Sequence, residues 1–309
     1  MREKKFIEII KSILDSKYIG DDCAYLKDLG IVVTQDNLVE DVHFKMQYTT
    51  PYQLGYKSAM VNISDICASG AEPLYMTISL SLPNTVNEDF IKEFYKGCKE
   101  ACSGVEIVGG DITGSDKIFI SVAVIGSDKG RKISSRSNAR AGQKVIVSGV
   151  HGSSGAGLEL LLNNKTSPEK FIKSHLMPQA QCEFSKEIAE QIDEDYAMMD
   201  TSDGLMDALS QIANNSGISL LIDFDKIPYD KDLEQFNNLK DLIFFGGEDY
   251  QLVATVPERL LKNLSNYTII GEVKEHPKIP GVEVNFSNKT EFFTKKIVEE
   301  KVYNHFKGA

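Results

Sequence analysis

Seven short clusters, most of them acidic, stand where apolar segments of this chain stop or begin, and they limit its fold more than any other feature. Carboxylates that gather at the ends of strands and helices repel each other, so their gathering needs a reason. Hard cations supply one, because Mg²⁺ takes oxygen ligands and shares them between a few carboxylates and substrate phosphates. The sequence therefore predicts a Mg²⁺–nucleotide enzyme. The clusters are residues 20–22, 34–36, 62–65, 109–111, 200–204 and 246–249, together with the small-residue loop 149–157.

Length and charge limit the partners. A chain of 309 residues suggests two domains. The formal net charge is −11 and no Lys/Arg-rich run offsets it, which argues against nucleic acid as a partner. No apolar run approaches the roughly 20 residues that span a bilayer, so we expect no membrane partner.

The five cysteines are scattered, and the first residues show no targeting pattern. This predicts reduced thiols in a cytoplasmic protein. Cys98 and Cys102 lie within one helical pattern without a second Cys/His pair close in sequence, so we do not expect a zinc site.

Hydrophobic periodicity predicts an α+β chain without a regular βαβ repeat. The irregular basic stretch 129–141 marks the domain boundary, giving domains 1–137 and 138–309. Strands 74–82 and 118–124 alternate strictly, so each has an apolar face that needs cover. The other predicted helices are 3–16, 52–69, 88–103 and 154–162, one after Pro178 and one from Asp203 to about Ser216; the other predicted strands are 31–33, 105–108, 145–147, 218–222 and 250–256.

Asp65 is the sharpest candidate residue. Asn62, Asp65 and Ser69 form one polar stripe on a largely apolar helix. A carboxylate buried without a partner is costly, so the stripe indicates a metal ligand. The alternative is a solvent-facing stripe.

Each remaining cluster has an ordinary structural alternative. Residues 109–111 and 246–249 are Gly-Gly-acid loops or plain turns. Asp200 and Asp203 flank Ser202 as a phosphate site at a helix start, or they cap the helix. Loop 149–157 cradles phosphate or packs tightly, and it lacks the Walker pattern. His43 is a substrate contact or a surface or structural histidine. Arg136 and Arg140 contact a nucleotide phosphate or belong to a solvated linker.

Taken in order, the clusters resemble the thiamine-monophosphate kinase family of the aminoimidazole ribonucleotide synthetase-like superfamily. The resemblance runs from about residue 18 to the C-terminus, and no single piece of it is decisive. It is carried by Gly-Asp-Asp-Cys-Ala at 20–24, Thr-Gln-Asp-Asn-Leu-Val-Glu-Asp-Val-His-Phe at 34–44, Ala-Met-Val-Asn-Ile-Ser-Asp-Ile-Cys-Ala-Ser-Gly-Ala-Glu-Pro at 59–73, Gly-Gly-Asp-Ile-Thr at 109–113, Asp-Thr-Ser-Asp-Gly-Leu at 200–205 and Gly-Gly-Glu-Asp-Tyr at 246–250.

The resemblance implies that ATP phosphorylates thiamine monophosphate to thiamine diphosphate. It implies a two-domain superfamily fold whose N-terminal sheet forms a homodimer and whose C-terminal domain is α/β. Several Mg²⁺ ions would serve as cofactors, with ATP as co-substrate. The implied metal ligands are Asp22, Thr34, Gln35, Asp36, Asp65, Asp111, Asp200 and Asp203; among them Asp36, Asp65, Asp111 and Asp203 are the catalytic set. The implied nucleotide contacts are Tyr95, Gly110, Asp111, Arg136 and Ser202, and the implied acceptor contacts are His43, Glu248, Asp249, Tyr250 and Tyr303.

Some positions depart from the family pattern. Gln35 stands where a second hydroxyl is usual, Gly114 where many members carry Arg, and Ser69 where Met is common. Glu300 replaces an expected aromatic that packs on thiamine, although the tail keeps Tyr303.

The acceptor is already a phosphate oxygen, so we expect direct in-line transfer without a phospho-enzyme. The competing hypotheses are an ATP-dependent cyclo-ligase, selenophosphate synthetase, a hydrogenase maturation partner and a structural metal-binding protein. Cys23 lacks the flanking residues that a selenophosphate synthetase would need, and the printed sequence ends without the cysteine tail of the maturation protein.

Overall fold

The computed structural model of the protein describes residues 2–275 and 279–303, with side chains from residue 5 onward. It has two sheets, of five and seven strands, which is the two-domain α+β architecture that the sequence predicts. The helices are α1 (Arg2–Leu14), α2 (Pro51–Ser69), α3 (Glu88–Ala101), α4 (Ser153–Leu162), α5 (Glu169–Leu176), α6 (Cys182–Gln191), α7 (Leu205–Ser216), α8 (Leu239–Phe245) and α9 (Lys295–Lys301). The strands are β1 (Ala24–Leu26), β2 (Ile31–Val39), β3 (Glu72–Leu82), β4 (Glu106–Gly114), β5 (Phe119–Ser127), β6 (Lys144–Val147), β7 (Met198–Asp200), β8 (Ser219–Asp223), β9 (Leu252–Val256), β10 (Thr268–Lys274), β11 (Gly281–Phe286) and β12 (Lys289–Phe293).

The N-terminal sheet has the order β1-β2-β5-β3-β4. All of its pairings are antiparallel except that of β3 with β4, which is parallel. Its inner face is apolar and fully buried at Met76, Ile78, Ile120 and Val122. Helix α2 contacts β2, β3 and β5 and covers this face.

Helices α2 and α3 approach each other closely because each contributes a glycine to the contact. A Cβ on Gly55 would lie 1.9 Å from the carbonyl oxygen of Phe94, and one on Gly97 would lie 1.9 Å from that of Tyr52. No side chain fits at either position. The start of α2 is fixed by a capping box between Thr50 and Gln53.

The C-terminal sheet has the order β12-β11-β8-β10-β6-β9-β7. Its pairings are antiparallel except that of β11 with β8. Helix α7 packs beside α8 and α9 and contacts β7, β8, β9 and β11, while α4 packs on α5 and α8. The glycine-rich loop 149–157 and the Gly-Gly-Glu-Asp loop 246–249 therefore lie near each other in the same domain.

One of the hydrophobic core clusters spans both domains. The cluster of buried residues around α2 includes Phe184 and Ile188 of α6 and Leu252 of β9, and α2 also contacts β7. Helix α2 therefore lies between the two sheets, and its residues reach both domains.

Two predicted strand ends are wrong. Asp36 lies within β2 rather than at its end, because the strand continues to Val39. The sequence 109–111 is the middle of β4 rather than a loop. A strand with three glycines carries little β-propensity of its own, and pairing with β3 decides its conformation.

Helix α2 covers the apolar faces of β3 and β5 within the same chain, so these faces do not themselves require a partner chain. The opposite face of the sheet is polar at Gln35, Ser79, Asp111 and Ser121, which follows from the strand registers. Strand β4 is exposed along nearly its whole length. The homodimer stays a prediction, and the surface that this sheet leaves for it is the polar face and the β4 edge.

Within the described part of the chain, no helix combines the length and the apolar character that a bilayer span requires.

Candidate active site

Three carboxylates from distant parts of the chain meet between the domains. Asp22 precedes β1, Asp65 lies on α2 and Asp200 ends β7. Each of them offers an oxygen within 4.8 Å of the others. The N-terminal domain supplies two of these ligand atoms and the C-terminal domain supplies one, so the cluster exists only when the domains are packed together.

The electrostatics of this cluster fit a cation site. Burial, followed by the charges of Asp36, Asp200 and Asp22, raises the pKa of Asp65 well above its usual value. Burial and the charge of Asp22 raise the pKa of Asp200 to about 7. Buried carboxylates that repel one another are stabilised in their ionised form by a divalent cation that takes their oxygens as ligands. The residues therefore fit the Mg²⁺ ions that the sequence predicts.

Hydroxyl and amide groups hold the carboxylates in place. The Thr34 hydroxyl donates to Asp65 Oδ2 at 2.7 Å, and the Ser64 hydroxyl donates to Asp200 Oδ2 at 2.6 Å. The side chain of Asn62 accepts the backbone N–H of Asp36 at 3.0 Å.

The polar stripe on α2 does not face solvent. Asn62 is fully buried and Ser69 nearly so, and Asp65 is partly buried among other carboxylates. The solvent-facing alternative is therefore wrong.

Arg136 closes the Asp22 side of the cluster. Its guanidinium donates to Asp22 Oδ1 at 2.6 Å and to Gln211 Oε1 at 2.6 Å. Its backbone N–H donates to Asp21 Oδ1 at 2.7 Å. The side chain is therefore bound to the site rather than solvated, and it offsets one negative charge.

The start of α7 lacks a side-chain cap. The residue at the N-cap is Gly204, and the helix begins at Leu205. Asp203 is exposed beside it, while the Ser202 backbone N–H donates to Asp200 Oδ1 at 3.4 Å. The capping alternative for Asp200 and Asp203 is therefore not supported: Asp200 is buried in the carboxylate cluster, and Asp203 is exposed three positions later.

Glu248 stands in a buried network that joins the domains. Lys57 on α2, which is 2% exposed, donates to Glu248 Oε2 at 3.0 Å and to the carbonyl oxygen of His175 at 3.1 Å. Burial alone would raise the pKa of Glu248, but the charge of Lys57 and the hydrogen bond that it donates hold this pKa below its usual value. Glu248 is therefore held as a carboxylate.

The Glu248 loop has an unusual backbone. Glu248 and Tyr250 both have positive φ, at 64° and 50°. Strained residues of this kind persist only where surrounding contacts hold them, and they concentrate at functional sites. Glu248 is tied by its backbone N–H to the Ser202 carbonyl at 2.7 Å, so the loop and the Asp200 segment are held together.

Asp249 is directed at α4 instead. Its carboxylate accepts the backbone N–H groups of Gly152 and Ser154 at 2.6 and 2.8 Å. A Cβ on Gly157 would lie 2.0 Å from the Phe171 carbonyl oxygen. These contacts support the packing interpretation of the glycine loop, because the N–H groups of Gly152 and Ser154 are already donated within the protein.

Several predicted site residues lie away from the three carboxylates. Gln35 alternates with Thr34 along β2 and donates to Ser121 on the outer face. Gly110 and Asp111 lie on the exposed edge strand β4, paired with Ile78 and Ser79. The structure thus puts Gln35 and Asp111 on the opposite sheet face from Thr34 and Asp36.

The other substrate candidates are spread over three elements. Tyr95 is half-buried on α3 with its ring edge-on to Phe94 at 5.5 Å. His43 follows β2 and accepts the backbone N–H of Val39 through Nδ1 at 3.0 Å. Tyr250 is buried, and Tyr303 is 57% exposed after α9. The residues beyond Tyr303 lie outside the described part of the chain.

A cavity of about 460 Å³ opens beside Asp21 and Asp22. Lys17, Arg131 and Lys132 contribute to its lining. This cationic rim next to the acidic cluster suits an anionic small molecule.

Lys57 is the functional candidate that the sequence analysis missed. It interrupts the apolar run of α2, and a lone lysine in such a run is the signal that could have revealed it, because buried lysines are almost always paired. Its partner Glu248 is 191 positions away, so the pairing itself could not be read from the sequence.

Comparisons with known proteins agree with this geometry. The family model for AIR synthase related protein, N-terminal domain, matches residues 20–127, and that for the C-terminal domain matches residues 140–282. Thiamine-monophosphate kinase of Aquifex aeolicus (strain VF5) is 37% identical, with 97% of this chain and 96% of the relative covered. The protein of the same name from Bacillus subtilis (strain 168) is 36% identical over 94% and 93%.

Two solved structures are similar to this chain. The structure described as AaThiL complexed with AMPPCP and TMP has a TM-score of 0.82 at 37% identity, covering 93% of this chain and 95% of that one. A structure of hydrogenase maturation protein HypE has a TM-score of 0.73 at 18% identity, covering 91% and 94%. The second likeness shows a shared fold only.

Proposed function

Because the chain belongs to the thiamine-monophosphate kinase family of AIR synthase related proteins, we propose that it transfers the γ-phosphoryl group of ATP to thiamine monophosphate. The product would be thiamine diphosphate. The protein is a kinase, and its acceptor is a phosphate group.

The observation that carries this proposal is the convergence of Asp22, Asp65 and Asp200 from two domains. Two anionic substrates approach each other in this reaction, and the main barrier is charge repulsion. A site of buried carboxylates suits that task only if cations are bound there. The raised pKa values of Asp65 and Asp200 support this requirement.

We propose that several Mg²⁺ ions bind at this cluster. The residues that would hold them are Asp22, Asp36, Asp65 and Asp200, with Asp203 at the rim. When bound, Mg²⁺ neutralises phosphate oxygens and fixes the reacting groups in line. Thr34 and Ser64 orient Asp65 and Asp200 by their hydrogen bonds, so the protein keeps the ligand oxygens in place before substrates arrive.

On the acceptor side we propose Glu248 and His43 as the contacts to thiamine monophosphate. Glu248 remains ionised because the Lys57 ammonium group lies against it. A fixed carboxylate beside the acidic cluster suits the cationic and amine-bearing rings of thiamine. No strong general base is required, because the acceptor oxygen already belongs to a phosphate.

On the nucleotide side, Arg136 and Ser202 lie at the cluster, whereas Tyr95, Gly110 and Asp111 lie elsewhere in the same chain. We propose that the second group contributes through a homodimer built on the polar face and exposed edge of the N-terminal sheet. An exposed edge strand is a template for pairing, and β4 exposes Val108 by 54% and Ile112 by 62%. Light scattering that finds only monomers at micromolar concentration would contradict this arrangement.

The test of the function is direct. The purified protein is incubated with ATP, Mg²⁺ and thiamine monophosphate, and thiamine diphosphate is measured by chromatography. Omission of the metal should abolish the product. The variant Asp65→Asn, which changes the cluster, should form the product more slowly. Asp116→Asn changes an exposed acid outside the cluster and is its matched control. Absence of thiamine diphosphate under all metal conditions would refute the proposal.

A further inference from the structure

Two cysteines from different domains lie against each other beside the acidic cluster. Cys67 is near the end of α2, and Cys182 is the first residue of α6. Their Sγ atoms are 2.7 Å apart and share a hydrogen bond. A disulfide has an S–S length of about 2.05 Å, so bond formation brings the sulfur atoms closer by only about 0.7 Å.

The surrounding contacts hold this pair in register. The Ser185 hydroxyl of α6 donates to the carbonyl oxygen of Cys67 at 2.5 Å. On the other side, the Cys23 thiol donates to the carbonyl oxygen of Asp65 at 3.2 Å. The Ser185 hydrogen bond therefore holds Cys67 against α6, two positions after Asp65 on α2.

We propose that Cys67 and Cys182 form a reversible disulfide that links the two domains next to the acidic cluster. The site takes a peroxide as its oxidant and a dithiol as its reductant. It goes beyond the phosphoryl-transfer reaction and does not depend on it.

Access and reactivity favour Cys182 as the residue that is oxidised first. It is partly exposed, whereas Cys67 is buried. The hydrogen bond from Cys67 lowers the pKa of Cys182, and its position at a helix N-terminus acts in the same direction. The buried Cys67 is placed to act as the resolving thiol.

The chemistry balances in two steps. The Cys182 thiolate attacks hydrogen peroxide, which breaks the O–O bond and gives a sulfenic acid and hydroxide. Cys67 sulfur then attacks the sulfenic sulfur, the S–S bond forms, and the leaving hydroxide takes the Cys67 proton to become water. Overall, two thiols lose two electrons and two protons, and one peroxide becomes two waters. A dithiol reverses the bond by exchange.

The bond closes a loop across the domain boundary, because its two ends are 115 positions apart. Closing a long loop restricts the unfolded chain and stabilises the folded one. The melting temperature of the oxidised protein should rise by roughly 3 to 10 °C above that of the reduced protein. The link also keeps Asp65 and Asp200 in the same assembly under oxidising conditions.

The test uses the full chain. Protein is treated with hydrogen peroxide or with dithiothreitol, free thiols are blocked with N-ethylmaleimide, and tryptic peptides are analysed by mass spectrometry without reduction. Cleavage by trypsin puts each cysteine on a different peptide. Peptide 58–92 carries only Cys67, and peptide 174–186 carries only Cys182. We expect these two peptides to be joined after peroxide and separate after dithiothreitol.

Variants distinguish this bond from general oxidation. Cys182→Ser should lose both the joined peptides and the rise in melting temperature, while Cys102→Ser, a buried cysteine elsewhere, should keep both. If Cys182→Ser fails to fold, the wild-type peptide map still decides. Three results after peroxide would overturn the proposal. Cys67 and Cys182 could both be alkylated, Cys182 could be over-oxidised without a link, or peptide 58–92 could be joined to the Cys23 peptide.

Discussion

His151 is the buried residue whose replacement should stabilise the protein most clearly. It is fully buried in the glycine loop, and neither ring nitrogen has a hydrogen-bond partner among the described residues. Leaving a buried polar group unpaired costs about 1 to 3 kcal/mol. His151→Leu removes both ring nitrogens at similar side-chain size, so we expect the free energy of unfolding to rise by about that amount at pH 7.5.

A second contribution appears at lower pH. Burial lowers the pKa of His151 to about 3, whereas an unfolded histidine titrates near 6.5. Below pH 6.5 the unfolded chain binds a proton that the folded chain does not, so folded-state stability falls as the pH drops towards 3. At pH 5 this difference corresponds to about 2 kcal/mol. The benefit of His151→Leu should therefore be about 2 kcal/mol larger at pH 5 than at pH 7.5.

Urea unfolding of wild type, His151→Leu and His151→Gln at both pH values separates these contributions. The chain has no tryptophan, so far-UV circular dichroism is the suitable signal. Gln does not titrate but remains polar, so it should lose the pH-dependent part and gain little at pH 7.5. His175, whose pKa burial and Lys57 lower to about 4, is present in all three proteins and cancels. An equal effect of His151→Leu at pH 7.5 and pH 5 would refute the reasoning.

Three further predictions concern the site. Asp65→Asn should lower the turnover number on the order of 10²-fold yet raise the melting temperature of the metal-free protein, because one buried like charge is removed; lower melting in EDTA would contradict this. Lys57→Met should cost about 3 kcal/mol in urea unfolding by leaving Glu248 unpaired, and Lys57→Met/Glu248→Gln should recover part of it; additive losses would exclude the pairing. His43→Ala should keep measurable thiamine diphosphate formation, since transfer is direct; a trapped phospho-histidine at position 43 would overturn that expectation.

Much of the fold followed from local patterns. Helix α2 was predicted from its proline start, its apolar run and Gly70 at its end, and the structure gives Pro51–Ser69. Strand β3 followed from strict alternation over Leu74 to Leu82. The short helix α5 and the strands after residue 260 were missed. They span only five to eight residues, and in such short segments tertiary pairing decides the conformation.

Within one chain the structure brings together only part of the predicted site, and the separation of the other residues has one physical cause. The sequence indicates which residues are suited to bind metal, but not the sheet face on which each lies. Alternation along β2 puts Gln35 and Thr34 on opposite faces, and the pairing of β4 with β3 puts Asp111 on the outer face with Gln35. Those facts depend on register, which only the assembled sheet defines.

Contacts across the domain boundary were beyond the sequence for a different reason. Lys57 meets Glu248, Cys67 meets Cys182 and Ser64 meets Asp200, and the partners are separated by 191, 115 and 136 positions. All three pairs start from α2, the helix between the two sheets. The same helix therefore carries a metal-ligand candidate, the counter-charge of Glu248 and half of the proposed disulfide. Any change in the packing of α2 should affect metal binding, acceptor binding and oxidation together, because one rigid element positions all three.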